Sequence, residues 1–315
     1  MAMLITGANG FAGRHALTFF LEHTTYQVVC VDLKNTDQLQ SDRVRYIDCD
    51  LGSSDAVRAM IKETHPRKML HLAGISSVRY SLEQPVATIQ ANVNQVLNLL
   101  EAIRVENVPT KVLMVSSGEV YGSPMNEEAF RTETHALKPE SPYAVSKAAI
   151  ELIAGQYRKS YGIKTIVARP FNHTGPGQAE TFALPSFAKK LADIRLHDLE
   201  PVIYTGNIEI ERDFLDVRDV VRAYHVLLEQ GKVGETYNIS SGKAQPLRWI
   251  VEEMIRRTGI DIEIRSDTKL ERSVDIPLLV GSNAKIAADT GWKPEIELTD
   301  TLKDLIDYWM KKLGD

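Results

Sequence analysis

A doubly wound α/β fold is the class this 315-residue sequence predicts. Three observations lead there. Apolar, β-branched runs alternate with amphipathic stretches through the first half, a glycine-rich turn separates the first such pair, and the alternation loosens at a Gly/Pro-rich segment near residue 172. Alternation of this kind makes βαβ units and a parallel sheet. Met3–Thr6 reads as the first strand, Phe11–Glu22 as the first helix and Val28–Asp32 as the second strand. Ser53–Lys62 is helix-like and Met69–Leu72 a further strand. Pro85–Val105 carries Ile89, Val93, Val96, Leu97 and Leu100 at helical spacing, and Val112–Ser116 resumes the strand pattern. Ser141 and Pro142 suit an N-cap and first helical position, opening a helix to about Tyr161 before strand Ile163–Ala168. After Pro170, helices and short strands mix, and Lys311–Asp315 reads as a frayed tail.

Composition bounds the function. Lys and Arg number 37 against 42 Asp and Glu, a net charge of −5, and no basic block exists to neutralise a nucleic-acid backbone. Two cysteines, Cys30 and Cys49, make neither a disulfide framework nor a zinc site, and the eight histidines lack metal-ligand spacing, so no metal is expected. No export signal or membrane span is expected, and a reducing cytoplasm fits.

Gly7, Gly10 and Gly13, with Asn9, Phe11 and Ala12, form the turn between first strand and first helix. Glycines there permit a tight turn and close approach of a pyrophosphate, and the helix N-terminus favours the anion. Asp32 ends the second strand, where a carboxylate accepts ribose hydroxyls and repels a 2′-phosphate. The fold is therefore expected to be a Rossmann-type sheet binding NAD(H) in preference to NADP(H), with Lys34 leaving NADP(H) open. Residues 1–170 are expected to bind the dinucleotide; 171–315 are expected to form a smaller mixed α/β substrate region, some segments of which could return to the first sheet.

Tyr143 and Lys147 stand four apart on one helix face, an arrangement suited to proton transfer because a nearby ammonium lowers a phenol pKa. Tyr308 and Lys312 repeat the spacing at the chain end, far from the cofactor half. Ser117 follows the strand Val112–Val115, at the carboxyl edge where open α/β sheets take ligands.

These residues, together with Asp50-Leu51, His71-Leu72-Ala73-Gly74, Asn92, Arg169-Pro170-Phe171-Asn172, Arg212-Asp213-Phe214 and Gly291-Trp292-Lys293-Pro294, resemble the extended short-chain dehydrogenase/reductases of nucleotide sugars. The resemblance covers nearly the whole chain. Asn172–Gln178 and Arg212–Asp219 look most like reductases of GDP-linked 4-keto-6-deoxyhexoses. It implies hydride exchange at carbon 4 of the sugar, with Tyr143 as acid or base, Lys147 depressing its pKa and holding the nicotinamide ribose, and Ser117 bonding the reacting oxygen. Asp50, Leu51, Leu72, Ala73, Gly74 and Asn92 would join the glycines and Asp32 around the cofactor.

Glu119 matches a glutamate kept by dehydratases and decarboxylases, a second base or a plain loop carboxylate; Gly118 departs from the aspartate of the dTDP-glucose dehydratases. Arg212, Arg272, Asp275 and Asn172 would hold the nucleoside diphosphate, while Ser77, Val78 and His173 would border the sugar. Rival readings are a 4-epimerase, a 4,6-dehydratase and a silent NAD-binding sensor. A homodimer through helices Pro85–Val105 and Pro142–Tyr161 is also implied.

Overall fold

The computed structural model describes residues 2–36, 38–124, 130–270 and 275–314. Strands β1 (Ala2–Thr6), β2 (Gln27–Asp32), β3 (Val44–Asp48) and β4 (Lys68–His71) enclose helices α1 (Phe11–His23) and α2 (Ser54–Thr64) in chain order. Then come α3 (Val78–Glu83), α4 (Pro85–Val105), β5 (Lys111–Val115), a 3-10 turn Gly118–Tyr121, β6 (Phe130–Arg131), α5 (Pro142–Tyr161) and β7 (Lys164–Pro170). The remainder holds β8 (Asn172–Thr174), α6 (Ala183–His197), β9 (Val202–Thr205), β10 (Glu211–Asp216), α7 (Val217–Gln230) and β11 (Thr236–Ile239). It closes with β12 (Ala244–Pro246), α8 (Leu247–Thr258), β13 (Glu263–Ser266), β14 (Leu278–Gly281), α9 (Ala284–Thr290) and α10 (Leu298–Gly314).

Seven parallel strands run in the order β11-β7-β5-β4-β1-β2-β3. The order reverses between β1 and β4, so their carboxyl ends open a crevice. Both faces are covered, as an all-parallel sheet requires. On one, Ala16, Leu17 and Phe20 of α1 share a core with Val220, Tyr224 and Leu227 of α7; on the other, Met60 and Ile61 of α2 meet Val96 and Leu100 of α4 and Ile150 of α5. Phe20 has no exposed surface, and burying such a side chain contributes about 1.5–3 kcal/mol.

Three features differ from the sequence reading or add to it. β3 was not anticipated, because an edge strand half in water lacks a continuous apolar run. The expected frayed tail is instead the last turn of α10, helical to Gly314, with Leu313 packed against the core of α6, α8 and α10. The chain also crosses between sheets on both sides of residue 170: β11 completes the large sheet, while β6 pairs with β14 in a small mixed sheet around β10.

Candidate active site

Gly7 has φ 69°, and a Cβ there would stand 2.7 Å from the Ala73 nitrogen; one on Gly13 would stand 2.2 Å from the Gly7 carbonyl oxygen. Only bare backbone lets β1, the Ala73 loop and α1 come this close. Gly10 caps α1 without a side-chain hydrogen bond, so no side chain competes for the cap at an end suited to an anion. Asp32 accepts hydrogen bonds from the Asn9 and Leu33 amides (3.0 and 2.9 Å) at the rim of this cradle. Further lone pairs remain on the carboxylate for ribose hydroxyls. The residues thus fit a nicotinamide dinucleotide.

A cavity of about 1230 Å³ runs along the carboxyl edge of the sheet. Gly7, Asn9, Gly10, Phe11, Ala12 and Gly13 line one stretch, and Asp32, Leu51, Leu72, Ala73 and Gly74 the next. Ser117, Glu119, Tyr143 and Lys147 stand at its middle, with Ser77, Val78, Asn172 and His173 beside them. Two expected cofactor residues are not among those lining it. Asp50 accepts from its own turn at the Gly52 amide (2.8 Å), and Asn92 is buried in the framework, its carboxamide bonding both backbone groups of Ile75 (2.8 and 3.1 Å) and the Ser146 hydroxyl (2.9 Å). Asn92 therefore fastens the loop after β4 to α4 and α5.

Ser141 caps α5 by accepting from the Ala144 amide (3.1 Å), which sets Tyr143 and Lys147 facing the end of β5. The Ser117 hydroxyl accepts from the Glu119 amide (3.2 Å) and shares the cavity wall with the Tyr143 phenol. Burial pushes that phenol up to about 12; Ser117 opposes the shift and Glu119 adds to it. The expected lowering by Lys147 is absent from this geometry because its ammonium donates to the Val115 carbonyl (2.9 Å), with the Tyr143 ring centroid 5.8 Å away. Burial lowers Lys147 itself to about 8, against an opposing pull from Glu151. Beneath it, His71, pushed down to about 3 by burial and Lys147, is neutral against the Thr6 hydroxyl (2.8 Å).

On β8, His173 bonds the Phe171 carbonyl through Nδ1 (3.1 Å), is lowered by burial, and stacks on Phe11 at 6.1 Å between centroids. The Asn172 Oδ1 is buried without a protein partner, as a wall residue awaiting a ligand donor would be. Ser77 caps α3. Arg212 and Asp275, both expected on the nucleotide, pair with each other at 3.0 Å beside a water-sized recess of about 10 Å³. Arg272 lies outside the described residues. The sequence reading missed Phe182, Leu184, Phe187, Tyr204 and Gly206, which wall the far end, because apolar residues at helix or strand spacing look the same in a core and a cavity wall. It also missed Glu151, whose signal was available: it continues the Tyr143, Lys147 series by another four residues.

Among the described residues no His/Cys/Asp/Glu cluster suited to a metal occurs, and no helix is long and apolar enough to cross a membrane. Glycine cradle, rim carboxylate and Ser-Tyr-Lys group on this sheet define an extended short-chain dehydrogenase/reductase, an enzyme built around a nicotinamide dinucleotide. Within that class the chain belongs to the GDP-mannose 4,6 dehydratase family, matched over residues 4–305. It is 33% identical to a GDP-6-deoxy-D-mannose reductase of Pseudomonas aeruginosa, covering 99% of this chain and 98% of that one. A GDP-mannose 4,6-dehydratase of Yersinia enterocolitica is 28% identical, over 96% and 92% of the two chains. Among solved structures, RMD from Pseudomonas aeruginosa complexed with NADPH superposes with a TM-score of 0.87 at 32% identity, over 99% of both chains. The Thermus thermophilus UDP-glucose 4-epimerase complexed with NAD gives 0.85 at 29%, over 98% and 99%.

Proposed function

We propose that the protein is an NAD(P)H-dependent 4-keto reductase of a GDP-linked 4-keto-6-deoxyhexose. The observation carrying this reading is that Ser117, Tyr143 and Lys147 line the same cavity as the glycine cradle. Full-length likeness to a GDP-6-deoxy-D-mannose reductase supports the substrate.

When bound over Gly7, Gly10 and Gly13, the dinucleotide supplies hydride exchange at its nicotinamide. Tyr143 gives its proton to the oxygen at carbon 4, and the Ser117 hydroxyl hydrogen-bonds that oxygen as negative charge grows on it. A phenol held near 12 is protonated at neutral pH, which suits an acid in the reductive direction. Lys147, its ammonium 5.8 Å from the Tyr143 ring centroid, holds the nicotinamide ribose. Asp32 favours NADH over NADPH. Residues 1–170 serve mainly the cofactor and 171–315 mainly the sugar nucleotide.

We further propose a homodimer through α4 and α5, whose Val86, Val145 and Leu152 are exposed apolar residues, with a monomeric mass in light scattering as the contrary result. A cytoplasmic setting accords with the free, buried Cys30 and Cys49.

The test is oxidation of NADH or NADPH with GDP-4-keto-6-deoxymannose. Failure with every 4-keto-6-deoxy sugar nucleotide refutes the reading. One observation favours a second reading: Glu119 lines the cavity within electrostatic reach of Tyr143, where it could remove a proton in a 4,6-dehydration. Release of a 4-keto product from GDP-mannose would establish that activity.

A further inference from the structure

We propose that Glu151 is a positioning residue for the Ser117–Tyr143–Lys147 site, a buried carboxylate one helical turn behind Lys147 that fastens the end of β5 to α5. The proposal rests on reading Tyr143 and Lys147 as the proton-transfer pair.

Glu151 lies one turn beyond Lys147 on α5, and both are buried. Its carboxylate is gripped by Arg169 of β7 through Nε (2.9 and 3.2 Å) and Nη2 (2.6 Å), the forked geometry of a strong pair. The Ser116 hydroxyl donates to the same carboxylate and lies 3.5 Å from the Lys147 carbonyl oxygen, while the neighbouring Val115 carbonyl accepts the Lys147 ammonium. Arg169 continues to the Tyr121 phenol (2.7 Å), and Tyr121 to the Asn238 side chain on β11 (2.7 Å). One buried polar chain thus joins α5, β5, β7, the 3-10 turn and β11 beneath the site.

A guanidinium alone would satisfy this carboxylate; its position next to Lys147 needs another reason. The titratable groups that bear on Lys147 are Tyr143 and Glu151 on its own helix and His71 from β4; Arg169 stands behind Glu151, and Glu119 and Tyr121 lie on the 3-10 turn packed against α5. His71 is neutral, and Glu119 bears on Tyr143. Glu151 is the anion that raises Lys147, against a burial that drives it down.

The test begins on the cofactor-free protein. Lys147 is titrated by its acetylation with acetic anhydride across pH, read by peptide mass spectrometry, and the alkaline limb of kcat/KM is then recorded with NADH and GDP-4-keto-6-deoxymannose. In Glu151→Gln the labelling midpoint and the limb should both fall by about one pH unit; Glu151→Asp, which keeps the charge, should hold both near wild type. If Glu151→Gln leaves Arg169 too costly to bury and does not fold, the double variant Glu151→Gln/Arg169→Gln removes both charges and is titrated in its place. An unmoved midpoint in folded Glu151→Gln, or in the double variant measured against Arg169→Gln alone, overturns the proposal. A moved midpoint with no turnover on any 4-keto sugar nucleotide upholds the role of Glu151 toward Lys147 and overturns the reductase reading.

Discussion

Replacing Gly13 by Ala should abolish tight dinucleotide binding without unfolding the chain. The new Cβ would stand 2.2 Å from the Gly7 carbonyl oxygen and 2.8 Å from both the Cα and the carbonyl oxygen of Ala8. All three are backbone atoms, so no rotamer relieves the contact, and α1 must move away from the turn by about 1 Å. Overpacking of this kind costs about 1–3 kcal/mol of stability, which a domain of this size survives. The cost to binding is larger, because the same shift draws the first amides of α1 away from a pyrophosphate. A hydrogen bond to a charged group is worth about 1.5–3 kcal/mol, so losing one weakens binding about 10- to 150-fold. Titration of NADH fluorescence measures the affinity, and a thermal melt run alongside measures the fold. A Gly13→Ala protein that binds NADH within about threefold of wild type would refute the argument that this glycine is required for close packing around the phosphate.

Four further outcomes are expected. Tyr143→Phe should lower kcat by about 10²- to 10⁴-fold, the usual worth of a general acid, while NADH affinity changes little; retained turnover would remove Tyr143 from the chemistry. Asp32→Ala should shift preference toward NADPH, measured as the ratio of the two dissociation constants, and an unchanged ratio would free Asp32 from that role. Asn92→Leu leaves the Ile75 amide and carbonyl and the Ser146 hydroxyl without their partner and should cost about 3 kcal/mol in urea unfolding, with kcat falling too. Lys147→Met should inactivate the protein yet stabilise it at pH 7 by about 2 kcal/mol. The folded lysine sits at about 8 against an ordinary 10.5, so the unfolded chain binds the proton more tightly. This penalty is complete below pH 8 and fades as pH rises toward 10.5, and the stability gap between variant and wild type should close over that window.

Local spacing determined more of this protein than its length would suggest. Three glycines between a strand and a helix leave space for a phosphate whatever the rest of the chain does, and residues four apart on a helix share a face through its 3.6-residue turn. The cradle, Asp32 and the Tyr143–Lys147 pair were therefore legible in the sequence, as was the parallel sheet from its alternating pattern. Only tertiary structure decided which strands adjoin: β11 reaches the large sheet from the second half of the chain, and β6 leaves the first half for the small one. It also decided where long polar side chains end. Lys147 turns to Val115, 32 residues away in sequence, Arg212 to Asp275, 63 away, and Tyr121 to Asn238, 117 away. Such partners are brought together by strand crossovers, and periodicity carries no record of them; a flexible cation takes whichever buried acceptor lies nearest once the fold has closed.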